Sequence, residues 1–182
     1  MSITTQQKYE TFKALHSGDQ PLLIPNPWDA GTAMMLAGVG YQALATTSAG
    51  VGFTLGPPAK GHPLTLELIL ENAREIVQAT ALPVSADLEN GFGDSPQSVA
   101  TAIKAAVDIG LIGGSIEDYS GNREDPIYEY SLAVERIQAA HEAAAGKPFM
   151  LTARTENFLY GRKDLDDTIR RLQAFSKAGA DV

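Results

Sequence analysis

Asp87 and Glu89 leave an apolar run two residues apart, in "PVSADLENGFGD", and Glu117 with Asp118 ends the next such run, "LIGGSIED". Residues two apart in an extended strand share a face, so Asp87 and Glu89 are expected to reach one ligand. Carboxylates gathered at adjacent strand ends repel one another unless a cation neutralises them. Their oxygens are the hard donors that Mg²⁺ or Mn²⁺ takes. A single strand-end acid serves equally well as a helix cap or a lysine partner; two adjacent strands ending alike weight the reading toward a metal. The three histidines, His16, His62 and His141, lie outside these motifs, which argues against zinc. The absence of cysteine excludes disulfides and a thiol nucleophile within these residues.

Arg154 ends a further apolar run, "KPFMLTAR". A buried guanidinium needs an anionic partner. Its planar fork suits a substrate carboxylate, and a salt bridge to Glu117 or Glu156 fits the spacing equally. In "ATTSAGVGFTLG", Ser48, Ala49 and Gly50 are small enough to bring backbone N–H groups near an anion, although an ordinary tight loop is the simpler reading. That stretch fails as a dinucleotide fingerprint, because its glycine spacing is wrong and no helix is expected to follow at once. In "NPWDAGTA", Asp29 suits a helix N-cap and Trp28 is expected in the core. No lysine ends a predicted strand, and Lys147 precedes the last complete one, which disfavours a Schiff base. A cation held by carboxylates and facing an arginine suits stabilisation of the enolate of a 2-oxo acid.

These residues need elements to carry them. After an opening amphipathic helix with Phe12 and Leu15 on its apolar side, apolar runs alternate with helical patterns through five complete units, and "AGADV" begins a sixth. Leu66, Ile69, Leu70, Ala73, Ile76 and Val77 recur at helical spacing and form one stripe. The strands read as continuous apolar runs, as expected when helices cover one sheet face and a core fills the other. Ser95 before Pro96, the Asp164 to Asp167 cluster, Gly146 and Gly179 punctuate helix ends. Repeated βα units admit a doubly wound sheet or a barrel. Ser48, Asp87, Glu117 and Arg154 at the C-terminal ends of different strands favour the barrel.

The expectation is therefore an α/β domain over residues 1–182, of (β/α)8 TIM-barrel type, with about five and a half βα units present. A closed barrel typically takes about 250 residues, so the domain is expected to continue beyond Val182. A net charge of −8, dispersed along the chain, argues against a nucleic-acid partner. No apolar run approaches the roughly 20 residues that cross a bilayer, and a soluble cytoplasmic protein is expected.

Taken in order, "NPWDAGTA", "TTSAGVG", "PVSADLENGFGD", "GSIED" and "ARTENF" resemble the isocitrate lyase and phosphoenolpyruvate mutase superfamily, over about residues 20 to 182. The resemblance implies a (β/α)8 barrel, a homo-oligomer (dimer or tetramer) with helix exchange, and a small 2-oxo acid or phosphonate substrate cleaved or rearranged at a C–C or P–C bond through a Mg²⁺-bound enolpyruvate. By position it implies metal-shell roles for Asp87, Glu89 and Glu117, largely through waters. It implies substrate contacts from Ser48, Ala49, Gly50 and Arg154, and catalytic roles for Asp29, Glu117 and Arg154. The sequence departs from the family in two places. Glu89 stands where a second Asp is usual, and "EDYSGNREDPIYE" lacks the Cys and His that the lyases carry after this strand. Asn122 with Arg123 only faintly echoes the Asn-rich loop of the mutases. The alternative reading is a family member that has lost catalysis and binds a metabolite or serves assembly.

Overall fold

A computed structural model describes residues 3–56 and 64–182; His62 lies outside them. Helix α1 (Thr5–His16) opens on a capping box, in which Thr4 and Gln7 satisfy each other's backbone N–H groups. The elements that follow are α2 (Ala30–Gly38), β1 (Leu44–Ala45), α3 (Ser48–Thr54), α4 (Leu66–Ala79), β2 (Val84–Asp87), α5 (Pro96–Asp108), β3 (Gly113–Glu117), α6 (Tyr130–Ala144), β4 (Met150–Arg154) and α7 (Leu165–Lys177).

The strands form one sheet in the order β1-β2-β3-β4, all parallel. A doubly wound sheet reverses its strand order at a switch point; a barrel keeps sequence order. The observed order is the barrel's. Two segments differ from the expected count. "PLLIPN" is not a strand, because Pro21, Pro25 and Pro27 have no N–H for a ladder. It still lies beside β1, where the Pro25 carbonyl accepts from Ala45 N–H at 3.1 Å. At the other edge Asp181 and Val182 N–H donate to the Leu151 carbonyl at 2.8 and 3.2 Å, and Ala153 N–H donates to Val182 at 2.9 Å. The expected sixth segment thus begins to pair with β4.

The core lies between the sheet and its helices. Ile69, Leu70, Ala73 and Ile76 of α4 are buried as the stripe predicts, with Leu66 and Val77 packed beside them. Each large aliphatic side chain buried in this way is worth about 1.5–3 kcal/mol. Phe12 and Leu15 of α1 close a smaller cluster with Ala43, Ile112 and Met150. Ser95, with Pro96 at the first helical position, and Asp164 cap α5 and α7 as expected. The inner sheet face is less apolar than expected: Ser85, Ser115 and Thr152 line a cavity there. Among the described residues no helix is long and apolar enough to cross a membrane.

Candidate functional site

Parallel pairing sets the tips of β2, β3 and β4 side by side, with Glu117 opposite Arg154 in register. A cavity of about 690 Å³ opens there, lined at the tips by Ser48, Asp87, Glu89, Glu117, Arg154 and Glu156. Arg154 is its hub. Nη1 lies 3.3 Å from Asp87 Oδ1, Nη2 lies 3.1 Å from Glu117 Oε2, and Nη2 and Nε reach Glu156 Oε1 at 2.6 and 2.9 Å. The Arg154 side chain is still 39% exposed, whereas those of its three partners are 8 to 17% exposed. Both salt bridges offered by the spacing, to Glu117 and to Glu156, are therefore made.

Asp87 is fixed from the other side. Ser48 donates to its Oδ2 through Oγ at 2.7 Å and through its backbone N–H at 3.0 Å, and Glu89 N–H donates to Oδ1 at 3.2 Å. Glu89 does line the cavity, but not because of the strand pleat. The strand ends at Asp87, and Glu89 has a left-handed backbone with φ 47°. The turn that follows needs its glycines. Gly91 has φ 79°, and a Cβ on Gly93 would lie 2.5 Å from Ser98 Oγ.

The segment after β1 also differs from expectation, since α3 begins at once at Ser48, with Thr47 as N-cap accepting from Gly50 N–H. Gly50 is therefore committed to the cap. It is also pressed against Trp28, whose ring would stand 2.6 Å from a Cβ there. Trp28 itself is 44% exposed and faces Phe53 rather than the core. Asp29 is not among the cavity-lining residues. It is exposed and caps α2, with Oδ1 accepting from Thr32 N–H at 2.7 Å and from Thr32 Oγ1 at 2.9 Å. Those hydrogen bonds hold its carboxyl below the usual range.

Asp118 points away from the cavity into a second charged cluster. Its carboxylate accepts from Glu156 N–H at 2.8 Å and Thr155 Oγ1 at 2.9 Å, and meets Arg171 Nη1 at 3.3 Å. Residues that sequence reasoning did not place at the site include Tyr119 and Tyr160, which line the cavity with rings stacked 3.8 Å apart. They come from different loops, so no spacing betrays them. Glu156 was legible only as an ion-pair partner, two residues beyond Arg154.

Electrostatically the cavity is out of balance, with four carboxylates against one guanidinium. Burial pushes Glu117 up to about 7; Arg154 opposes this, and Glu156, Asp87 and Glu89 add to it. Burial and then Asp87 raise Glu89, against a Ser48 hydrogen bond and Arg154. Burial alone would lower Arg154, but Glu117, Glu156 and Asp87 outweigh it and leave it raised. An oxygen-only donor set with surplus negative charge fits a hard divalent cation. Among the described residues no three acidic or histidine side chains stand close enough to hold an ion directly.

Parallel βα units in barrel order, with strand tips converging on an acidic, arginine-centred cavity at the C-terminal end of the sheet, define a barrel-type protein. The comparisons narrow this class. The phosphoenolpyruvate phosphomutase family model matches residues 12–182, and the chain belongs to that family. It is 32% identical over 180 residues to the 2-methylisocitrate lyase of Escherichia coli K12, covering 95% of this chain and 60% of that protein. Among solved structures, a provisionally assigned lyase/mutase from Burkholderia cenocepacia J2315 shares 52% identity with TM-score 0.92, over 97% of this chain and 63% of that one. Phosphoenolpyruvate phosphomutase from Streptomyces platensis subsp. rosaceus shares 25% with TM-score 0.86, over 96% and 62%. The chain thus spans about 60% of the length of the relatives it matches.

Proposed function

We propose that the chain carries the site of a lyase or mutase that breaks or rearranges a C–C or P–C bond in a small 2-oxo acid, or its phosphonate relative, by way of an enolpyruvate. The observation that carries this reading is the gathering of Asp87, Glu89, Glu117 and Glu156 around Arg154. In it Asp87, Glu89 and Glu117 hold Mg²⁺ or Mn²⁺ largely through waters. When bound, the cation supplies positive charge beside the oxygens on which the enolate's charge develops.

Arg154 binds the substrate carboxylate. Its longest contact, from Nη1 to Asp87 at 3.3 Å, is the one a substrate displaces most easily, while the shorter pair to Glu156 keeps the side chain aimed. Ser48 keeps Asp87 oriented, and Ser48 and Ala49 form the adjoining wall for the 2-oxo group, with Gly50 behind them on the Thr47 cap. Without a cation beside it, burial pushes the Glu117 carboxyl up to about 7, and in that state it is the acid placed to hold or return a proton. Asp29, one residue beyond the Trp28 that packs on Gly50, joins this set if its carboxylate leaves Thr32. A homo-oligomeric, cytoplasmic protein belongs to the same proposal.

The relatives include proteins named for 2-methylisocitrate, 2,3-dimethylmalate and oxaloacetate. These three with phosphonopyruvate form the assay panel, each tested with and without Mg²⁺. Turnover of one, dependent on Mg²⁺, is the expected result. Intact Mn²⁺ binding with no turnover of any would support instead a metabolite-binding member.

A further inference from the structure

Glu89 enters the cavity from a turn that an L-chain does not favour. Glu89, Gly91 and Phe92 all have positive φ, at 47, 79 and 59°. A left-handed non-glycine residue costs on the order of 1 kcal/mol and persists only where its surroundings impose it. Glu89 and Phe92 are two such residues, so something must hold the turn.

The holder is on α6. Arg136 is only 1% exposed and reaches into the turn, where Nη1 donates to the Gly93 carbonyl at 2.7 Å and to that of Asp94, and Nη2 donates to that of Asn90. Its Nε is buried without a partner, so the side chain's hold on the turn runs through its two terminal nitrogens alone. Under the guanidinium, 4.2 Å from its carbon, lies the Tyr128 ring. The Tyr128 hydroxyl donates to Asp94 Oδ1 at 2.7 Å and accepts from Asn90 Nδ2 at 3.1 Å. Burial, then the hydrogen bond to Asp94, pushes that hydroxyl up to about 12, so it stays a donor at working pH. Three backbone carbonyls and two side chains of one five-residue turn are thus tied to two residues far along the chain. The turn is tied to β3 as well, through Glu117 N–H donating to the Glu89 carbonyl at 2.9 Å.

We infer that Arg136 and Tyr128 are positioning residues, which hold Glu89 in the cavity by clamping the backbone of residues 90–94. Neither touches the cavity. Their use to the protein rests on the proposed reading of that cavity as a cation site; the clamp itself does not.

The test uses Tyr128→Phe, which keeps the ring under the guanidinium and removes only the hydroxyl, and Arg136→Lys, which keeps the charge and loses the fork. Amide exchange is read at Glu117 and at Gly91, whose N–H bonds Leu88 at 2.8 Å, with Met150, bonded to Ile112 at 2.9 Å, as the remote control. Mn²⁺ affinity is read by calorimetry. Expected are roughly ten-fold faster exchange at Glu117 and Gly91 with Met150 unchanged, and about ten-fold weaker Mn²⁺ binding. Equal acceleration at all three amides, or none at Glu117 and Gly91, overturns the clamp. A wild-type protein that binds no Mn²⁺ sinks the cation reading alone, and the exchange comparison still decides the clamp.

Discussion

Glu117 and Asp118 are neighbours in sequence and belong to opposite kinds of charged cluster. Behind the sheet, Asp118 and Asp167 share Arg171, which is 2% exposed, and Arg170 adds a contact to Asp167 from the surface. Burial would raise Asp167, but Arg171, Asn157 and Arg170 hold its carboxyl well below the usual range. That cluster is matched in charge and nearly dry. In front, Asp87, Glu117 and Glu156 share Arg154 with Glu89 beside them, and burial pushes Glu117 up to about 7 in an open cavity. Even in the rear cluster burial raises Asp118 and leaves Asn157 Oδ1 without a partner, so the contrast between the two clusters lies in their charge balance and exposure. The two are linked, since Asp118 accepts from the backbone N–H of Glu156, which in turn aims Arg154.

If this division holds, damage to the two clusters should differ in kind. Arg171→Met strands two buried carboxylates and should cost about 3–5 kcal/mol, read from the urea midpoint. A loss under about 1 kcal/mol would show that the rear cluster is not structural. Asp87→Asn should leave stability within about 1 kcal/mol while weakening Mn²⁺ binding by at least roughly ten-fold in calorimetry. Collapse of the fold instead would move Asp87 into the structural class.

Glu117 offers a pH test. Its folded pKa, about 7, lies above its ordinary value of 4.5, so the folded state holds the proton longer than the unfolded one. Its contribution to stability is therefore full below about 4.5 and is lost as pH rises toward 7. Glu117→Gln should flatten the stability profile across that window by on the order of 3 kcal/mol. An unchanged slope would place the charge surplus elsewhere. Ser48→Ala, which removes the 2.7 Å bond to Asp87, is the mildest, at about 1 kcal/mol. A larger loss would make Ser48 part of the scaffold.

Much of this was legible because periodicity and strand-end polarity are local. The α4 stripe, the caps at Ser95 and Asp164, and the convergence of Asp87, Glu117 and Arg154 follow from spacing and βα order alone. What spacing cannot carry is direction and closure. Glu89 reaches the cavity through a left-handed turn and not through the pleat, Asp118 turns away from its neighbour, and Asp29 is held by Thr32 outside the cavity. Prolines erased an apolar run as a strand. Arg136 carries no local signal, because its partners are carbonyls more than forty residues away.

If the front cluster is short of positive charge, it should accept an anionic, enolate-like ligand only with a divalent cation. Calorimetric titration of the protein with oxalate, with and without Mg²⁺, tests it most directly. Oxalate should bind in the presence of Mg²⁺ and not in its absence. Equal oxalate binding in both would contradict it.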